Sequence, residues 1–374
     1  MKRLVYRFAL YFNILLAILL VLSHLSIFIS PEKIWHFAFL GLIYPYILAA
    51  NVFMILFWLL FRKKELFISL IAIVTGWNIL TSIVQPNFKF LKEKEIKEKY
   101  VRNYRADNQI IKVLSYNVRA FNIYNWARFK GAKDSILRFI SNEDPDIICF
   151  QEYYTQEKGV FSTSDLYKLL KNTPYRHVYY TIGEGQNSNY GIATFSSYPI
   201  VGKGVTRFEN SFNISIHTDI NFNGDTLRVF NNHLQSIHLN IKNYTFLDSL
   251  RLRYNDQQLN EILDISYRLK DAFIKRAQQA DRISEKISES PYPVIICGDF
   301  NDTPVSYTYK KMKSSLSDSF MEAGYGIGST YSGIFPSFRI DYILHQSDMT
   351  ALFTERVRLK LSDHYPIITY LRFD

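Results

Sequence analysis

Eight polar residues of this 374-residue chain stand at or beside the ends of short apolar runs. Asn117 closes KVLSYN, Glu152 closes DIICFQE and His233 closes LRVFNNH. Asp299 and Asn301 end VIICGDFN, Asp341 opens DYIL, and Asp363 and His364 precede YPIITY. Carboxylate and amide oxygens suit a hard cation such as Mg²⁺, and imidazole moves protons near neutral pH. No covalent nucleophile announces itself. The Gly-x-Ser-x-Gly elbow, the His-Glu-x-x-His zinc motif and the Gly-Lys-Ser/Thr phosphate loop are all missing. Each residue alone has an ordinary reading. Asn117 could cap a turn, and Asp299 with Asn301 could form an Asx turn. The other six histidines lie outside any such pattern.

These groups need a scaffold that brings strand ends to one rim, where several side chains can be held around one substrate. From Ile110 onward the chain offers it. IKVLSYNV and DPDIICFQE read as strands flanking a helical stretch over residues 128–141. HVYYTI, GIATFSSYPI, FNISIHTDI and TLRVFNNHL follow as strands, with NGD as a hairpin turn between the last two. Residues 240–289 have helical period, and PVIICGDF, RIDYILH and HYPIITYLRF are the later strands. This pattern predicts two sheets packed face to face and covered by helices. Cys149 and Cys297 fall inside strands and read as small core residues. Arg276 and Gln279 lie on the helix after the His233 strand, where Arg276 could reach a phosphate from the rim.

The segments SYNVR, CFQE, GIATFSSYPI, NNHLQS, GDFND, RIDYIL and SDHYPI, in that order, resemble the endonuclease/exonuclease/phosphatase superfamily with its DNase-I-like fold. The resemblance implies a four-layer α/β sandwich over residues 110–374 and hydrolysis of a P–O bond by metal-activated water. It implies metal binding by Asn117, Glu152 and Asp363, with Mg²⁺ as the ion and Mn²⁺ or Ca²⁺ as substitutes. It implies catalytic roles for His233, Asp299, Asn301, Asp341 and His364. Asp299 would align or deprotonate the water, oriented by Asn301. His364, paired with Asp341, would move a proton, and His233 would bind phosphate. One position departs: some nuclease members have Asp two residues after the first Asn, where this chain has Arg119, a candidate phosphate contact. The implied substrate is a phosphodiester in nucleic acid or a lipid head group. A phosphomonoesterase acting on a phosphoinositide or sugar phosphate is the alternative, and a non-catalytic membrane receptor or scaffold is the rival of another class.

The N-terminal third differs. Residues 8–29, 34–61 and 66–84 contain no Asp, Glu, Lys or Arg, and each has about the length of a spanning helix. They predict a membrane domain over residues 1–88, with a charged linker over residues 89–109. Lys2, Arg3 and Arg7 precede the first segment, and Arg62, Lys63 and Lys64 separate the second from the third. The positive-inside rule then puts the N-terminus in the cytoplasm and the catalytic part outside, on the periplasmic face of a bacterial inner membrane. The Lys-rich stretch at 89–105 runs against that placement. Of the formal net charge of +10, residues 1–105 carry +9 and the remainder +1. The excess charge flanks the apolar segments, so no bulk DNA-tracking surface is visible in the catalytic part.

Overall fold

The structure is a computed structural model that describes residues 3–86, 104, 108–123, 131–157, 161–183, 187–209, 211–237, 256–333 and 338–373. Most of the predicted linker lies outside these residues.

Helix α1 (Arg3–His24) and a 3-10 turn (Leu25–Ile27) form one continuous apolar rod. Short α2 (Pro31–Ile34) leads into α3 (His36–Leu42) and α4 (Tyr44–Leu60). These are followed by α5 (Leu66–Thr75) and α6 (Trp77–Ile83). Among the described residues, one helix is long and apolar enough to cross a membrane, or up to three if each bent pair counts as one span. The expectation of three plain spans is therefore corrected in form. The second segment bends by 59° between α3 and α4, where Pro45 lies in the first turn of α4 and has no N–H to continue the ladder. The third bends by 75° at Gly76. There a Cβ would fall 2.4 Å from His24 Nε2, so only glycine admits the close approach to α1. Several polar residues within these segments, Asn13, Asn51 and Ser69 among them, are buried. Asn13 Nδ2 donates to the Glu65 carbonyl at 3.0 Å, and Asn51 Nδ2 to the Leu16 carbonyl at 3.0 Å. Such bonds join helices where no water competes. Leu4, Phe8, Leu15, Phe53, Leu60 and Ile71 face outward.

Short β1 (Val84–Gln85) ends the bundle. The sandwich follows. One six-stranded sheet joins β2 (Ile110–Asn117), β3 (Ile147–Gln156), β4 (Tyr175–Ile182), β5 (Ser188–Ser196), β13 (Met349–Arg356) and β14 (Ile367–Phe373), in the order β13-β14-β2-β3-β5-β4. The other joins β6 (Ile200–Arg207), β7 (Ile214–Phe222), β8 (Asp225–His233), β9 (Val294–Asp299), β10 (Ser317–Asp318) and β12 (Asp341–His345), in the order β10-β12-β9-β8-β7-β6. Strand faces alternate. Ile147 and Cys149 enter the core between the sheets with Ile295 and Cys297, while Ile148 and Phe150 face outward under α7 (Ala132–Glu143). On the far side, Ile296 and Phe230 pack under Ala280 and Ile283 of the long helix α9 (Asp256–Ser288). α8 (Thr163–Leu169) adds Leu166 to the first outer core, and α10 (Tyr307–Lys313) adds Tyr309 and Met312 to the second. The result is helix, sheet, sheet, helix, the four layers expected. Because both faces of the central strands are covered, those strands read as continuous apolar runs. The predicted hairpin forms between β7 and β8, with Asn223 and Gly224 at φ 55° and 107°.

Among the described residues, hydrogen bonds tie the bundle to the sandwich near Ser26 and at β1, and α9 packs against Trp35 and Phe39. Ser26 Oγ donates to the Val305 carbonyl at 2.8 Å, beside Gly41. β1 pairs with β11 (Gly326–Ile327), and Gly328 N–H donates to the Ile83 carbonyl at 3.1 Å. Buried Arg339 donates to the Ser82 carbonyl at 2.8 Å and pairs with Asp318.

Candidate active site

Strand register assembles the site. Parallel β2 and β3 set Asn117 beside Gln151, and parallel β8 and β9 set His233 beside Asp299. Antiparallel β12 sets Asp341 opposite Asp299. At a register shift of β3 against β5, Glu152 takes φ 50°. Such a bulge re-aims a side chain at a sheet rim. Before Asp299, Gly298 at φ 135° lets β9 lie against β8, where a Cβ would sit 2.0 Å from the Asn232 carbonyl oxygen.

The two sheets meet through Asn117, whose Nδ2 donates to Glu152 Oε1 at 3.1 Å and to Asp299 Oδ2 at 3.0 Å. Asp299 is held on both oxygens. Oδ1 accepts the Asn301 N–H at 2.8 Å, and Oδ2 accepts Asn301 Nδ2 at 3.2 Å. His364 Nδ1 lies 2.9 Å from Asp341 Oδ2, and its Nε2 lies 3.7 Å from Asp299 Oδ2. His233 Nε2 faces Glu152 Oε1 at 3.8 Å and Asp299 Oδ2 at 3.9 Å. Asp363 Oδ2 pairs with Arg119 Nη1 at 3.0 Å. All eight residues singled out from the sequence thus converge on one rim.

Negative charge is in excess here. Burial and the neighbouring Asp363 raise the Glu152 carboxyl above its usual range, although its side chain keeps 39% exposure. Burial, with a further contribution from Asp341, pushes the Asp299 carboxyl up to about 6. Burial would lower the His364 imidazole, but Asp341 and Asp299 hold it well above the ordinary histidine value. Four carboxylates crowd a recess that already strains to ionise two of them, and a divalent cation would relieve it. The donor set fits such an ion. One ligand atom from each of Asp299, Asp341 and His364 lies within 4.8 Å of the others. Glu152 offers a more open oxygen nearby.

Three expectations change. Arg276 does not reach the rim. It is 1% exposed, pairs with Asp302 Oδ2 at 3.1 Å and donates to the Gln235 carbonyl at 3.0 Å, so it braces the loops behind the site and is no phosphate contact. Its helical position could not show which side it faced. Asn117 turns its amide nitrogen to the carboxylates, while its Oδ1 accepts the Arg119 N–H at 3.1 Å. As placed, it is a donor bridging two carboxylates, with its amide oxygen turned to the Arg119 N–H. Arg119 lies on the rim but is engaged by Asp363.

Other supporting residues had no clear sequence signal. Gln151 Nε2 donates to Asn231 Oδ1 at 2.7 Å across the two sheets, beside buried Ser115 and Thr194. Thr330 Oγ1 accepts the Asp341 N–H at 3.0 Å. Ser362 Oγ donates to the Asn117 carbonyl at 2.9 Å and joins the SDH turn to β2. Gln151 and Ser362 adjoin recognised residues, which is the one hint available. Thr330 lies in a stretch without motif.

A family model described as the Endonuclease/Exonuclease/phosphatase family matches residues 114–364. A domain of unknown function (DUF8431) matches residues 4–83. A search of curated proteins gives no match. Among solved structures, an endonuclease/exonuclease/phosphatase from Beutenbergia cavernae is 15% identical with a TM-score of 0.52, covering 71% of this chain and 72% of its own. One from Bacteroides vulgatus is 17% identical with a TM-score of 0.50, covering 71% and 99%. At such identities the likeness concerns the fold.

Proposed function

The chain belongs to the endonuclease/exonuclease/phosphatase family, and from that premise we propose that it is a membrane-anchored, Mg²⁺-dependent phosphoesterase that hydrolyses a phosphodiester. The observation that carries the reading is the Asp299 carboxylate, buried beside two imidazoles and joined through Asn117 to the partly open Glu152.

Glu152, with Asp363 beside it, is assigned to the ion; Asp299, Asp341 and His364, although their ligand atoms lie within 4.8 Å of one another, are engaged by protein hydrogen bonds and are kept for proton transfer. A bound divalent cation neutralises substrate charge and lowers the pKa of water. Asp299, aligned by Asn301 and Asn117, accepts the proton of the attacking water. His364 enters protonated, fixed in one tautomer by Asp341, and faces the charge that grows on the phosphoryl oxygens. His233 supports the same oxygens from the opposite side. Arg119 holds Asp363 in place. The bent pairs α3 with α4 and α5 with α6 each act as one span, so the first 83 residues anchor the enzyme and set its rim at the bilayer surface. The balanced charge of the sandwich favours a lipid head group or other membrane-proximal diester over bulk DNA.

The test uses the full chain in detergent or nanodiscs, because the bundle contributes contacts behind the site. The protein and its His364→Ala variant are assayed with Mg²⁺ and with EDTA against plasmid DNA, RNA, sphingomyelin and phosphoinositides. Metal-dependent turnover that vanishes in the variant supports the reading. Turnover that persists in EDTA, or equally in the variant, defeats it. The salt dependence separates substrates, since a nucleic acid held by many phosphate contacts loses affinity steeply with salt.

A further inference from the structure

We propose that the first half of the long helix α9 lies on the bilayer surface as an interfacial helix, through Leu259, Ile262, Leu263 and Tyr267. The proposal rests on the membrane-anchored reading above and adds a second membrane contact, made by the catalytic part itself.

The argument begins where α9 meets the bundle. Lys270 stands 5.1 Å over the Trp35 ring, and Phe273 packs edge-on against Phe39 with ring centroids 5.3 Å apart. One helix face therefore leans on the entry of the second apolar segment. Residues three and four apart share a face. Counting back from Lys270 and Phe273, that face runs on through Tyr267, Leu263, Ile262 and Leu259. These four are 68%, 45%, 46% and 38% exposed. Four large apolar side chains in three turns, all in line with a helix-to-bundle contact, form an unusual solvent face for a soluble domain. The second half of α9 buries Ala277, Ala280 and Ile283 in the sandwich core, so the helix is held at one end and projects at the other.

The occupant follows from continuity. The bundle that α9 leans on is apolar on its outer surface, and a bilayer around it would end beside Trp35, an aromatic of the kind enriched at membrane interfaces. A helix face that continues past that point, on the same side, meets the head-group region. Charge does not drive the contact. Over residues 259–270, Glu261 and Asp264 balance Arg268 and Lys270. The association is therefore apolar and should survive high salt.

The consequence for the site is direct. Two turns beyond Lys270, Arg276 braces Gln235 and Asp302, and Gln279 Oε1 accepts the Gln235 N–H at 2.8 Å. Those residues adjoin His233 and Asn301. A bilayer contact on α9 thus fixes the height of both active-site loops over the membrane.

The test attaches an environment-sensitive fluorophore at Leu263→Cys in the full chain, reconstituted in phosphatidylcholine vesicles. Cys149 and Cys297 are buried, so labelling is selective. Leu15→Cys on α1 reports the membrane anchor, and Asp225→Cys on the β7–β8 hairpin reports solvent. Quenching by lipids spin-labelled near the head group, and protection from aqueous iodide, are expected at 263 and in high salt. If 15 is lipid-quenched while 263 is quenched by iodide as strongly as 225, the proposal fails and the anchor stands. If 263 is shielded from both quenchers, protein covers the face and the proposal fails. If 15 is not lipid-quenched, the membrane reading itself falls.

Discussion

Replacing Asp341 by Asn keeps the shape beside His364 and removes the charge. Asp341 receives His364 Nδ1 through both oxygens, at 2.9 and 3.1 Å, and the two side chains are 2% and 6% exposed. A charged hydrogen bond of this kind contributes about 1.5–3 kcal/mol. If it is fully used in the transition state, its loss lowers kcat by about 10- to 100-fold. KM should hold, since Asp341 lies behind His364. The pH profile gives the sharper reading. Asp341 helps hold the His364 imidazole above its ordinary value, so the variant loses protonated His364 at lower pH and its alkaline limb moves toward acid. Asp341 also raises Asp299, so the acidic limb moves down as well. Both limbs therefore shift the same way. The assay is hydrolysis of a chromogenic phosphodiester by the full chain at saturating Mg²⁺ across the pH range. A variant with kcat within about twofold of the parent, or with its alkaline limb unmoved, refutes the pairing as part of the mechanism.

Asp299→Asn should abolish turnover yet stabilise the metal-free protein at neutral pH. The folded carboxyl titrates near 6 against 3.8 for an exposed one. Its contribution is therefore present in full below about pH 4 and is lost as pH rises through about 6. The relief amounts to at most roughly 3 kcal/mol, less what Asn117 and Asn301 forfeit as donors, and a lower Tm in EDTA at pH 7.5 would contradict it. Gly298→Ala places a Cβ against the Asn232 carbonyl at an unfavourable φ. It should destabilise by about 3 kcal/mol or more and lower kcat by displacing Asp299, whereas an unchanged Tm would show the backbone tolerates it. Arg276→Ala leaves Asp302 buried without its partner, at a cost of about 3–5 kcal/mol read in denaturant unfolding. A raised KM with unchanged stability would instead restore Arg276 as a phosphate contact.

Much of the site was legible because its residues end strands, and strand ends are marked by the change from apolar to polar. Glu152 and Asp299 each follow an apolar run buried on both faces, which made them conspicuous. What stayed hidden depends on contacts distant in sequence. The direction of Arg276 is set by Asp302 and Gln235, and helical period carries no trace of either. The bends at Pro45 and Gly76 lie inside runs that composition reads as single spans, so an unbroken apolar stretch gave no sign of them. The first covering helix is described from Ala132, after Gly131 at φ 85°. Residues 124–130, where the prediction placed its start, lie outside those described.

The bond between Arg339 and Ser82 joins residues 257 positions apart. A chain made from its N-terminus exposes the bundle before the sandwich. Gly328 and Arg339 are synthesised long after it, and they find their partners Ile83 and Ser82 already made. Tethering keeps those partners at high effective concentration for each chain's own loop. The late step is a long-range closure, the slow kind in folding. The order of synthesis thus makes the N-terminal bundle a template on which a late edge of the sandwich is finished.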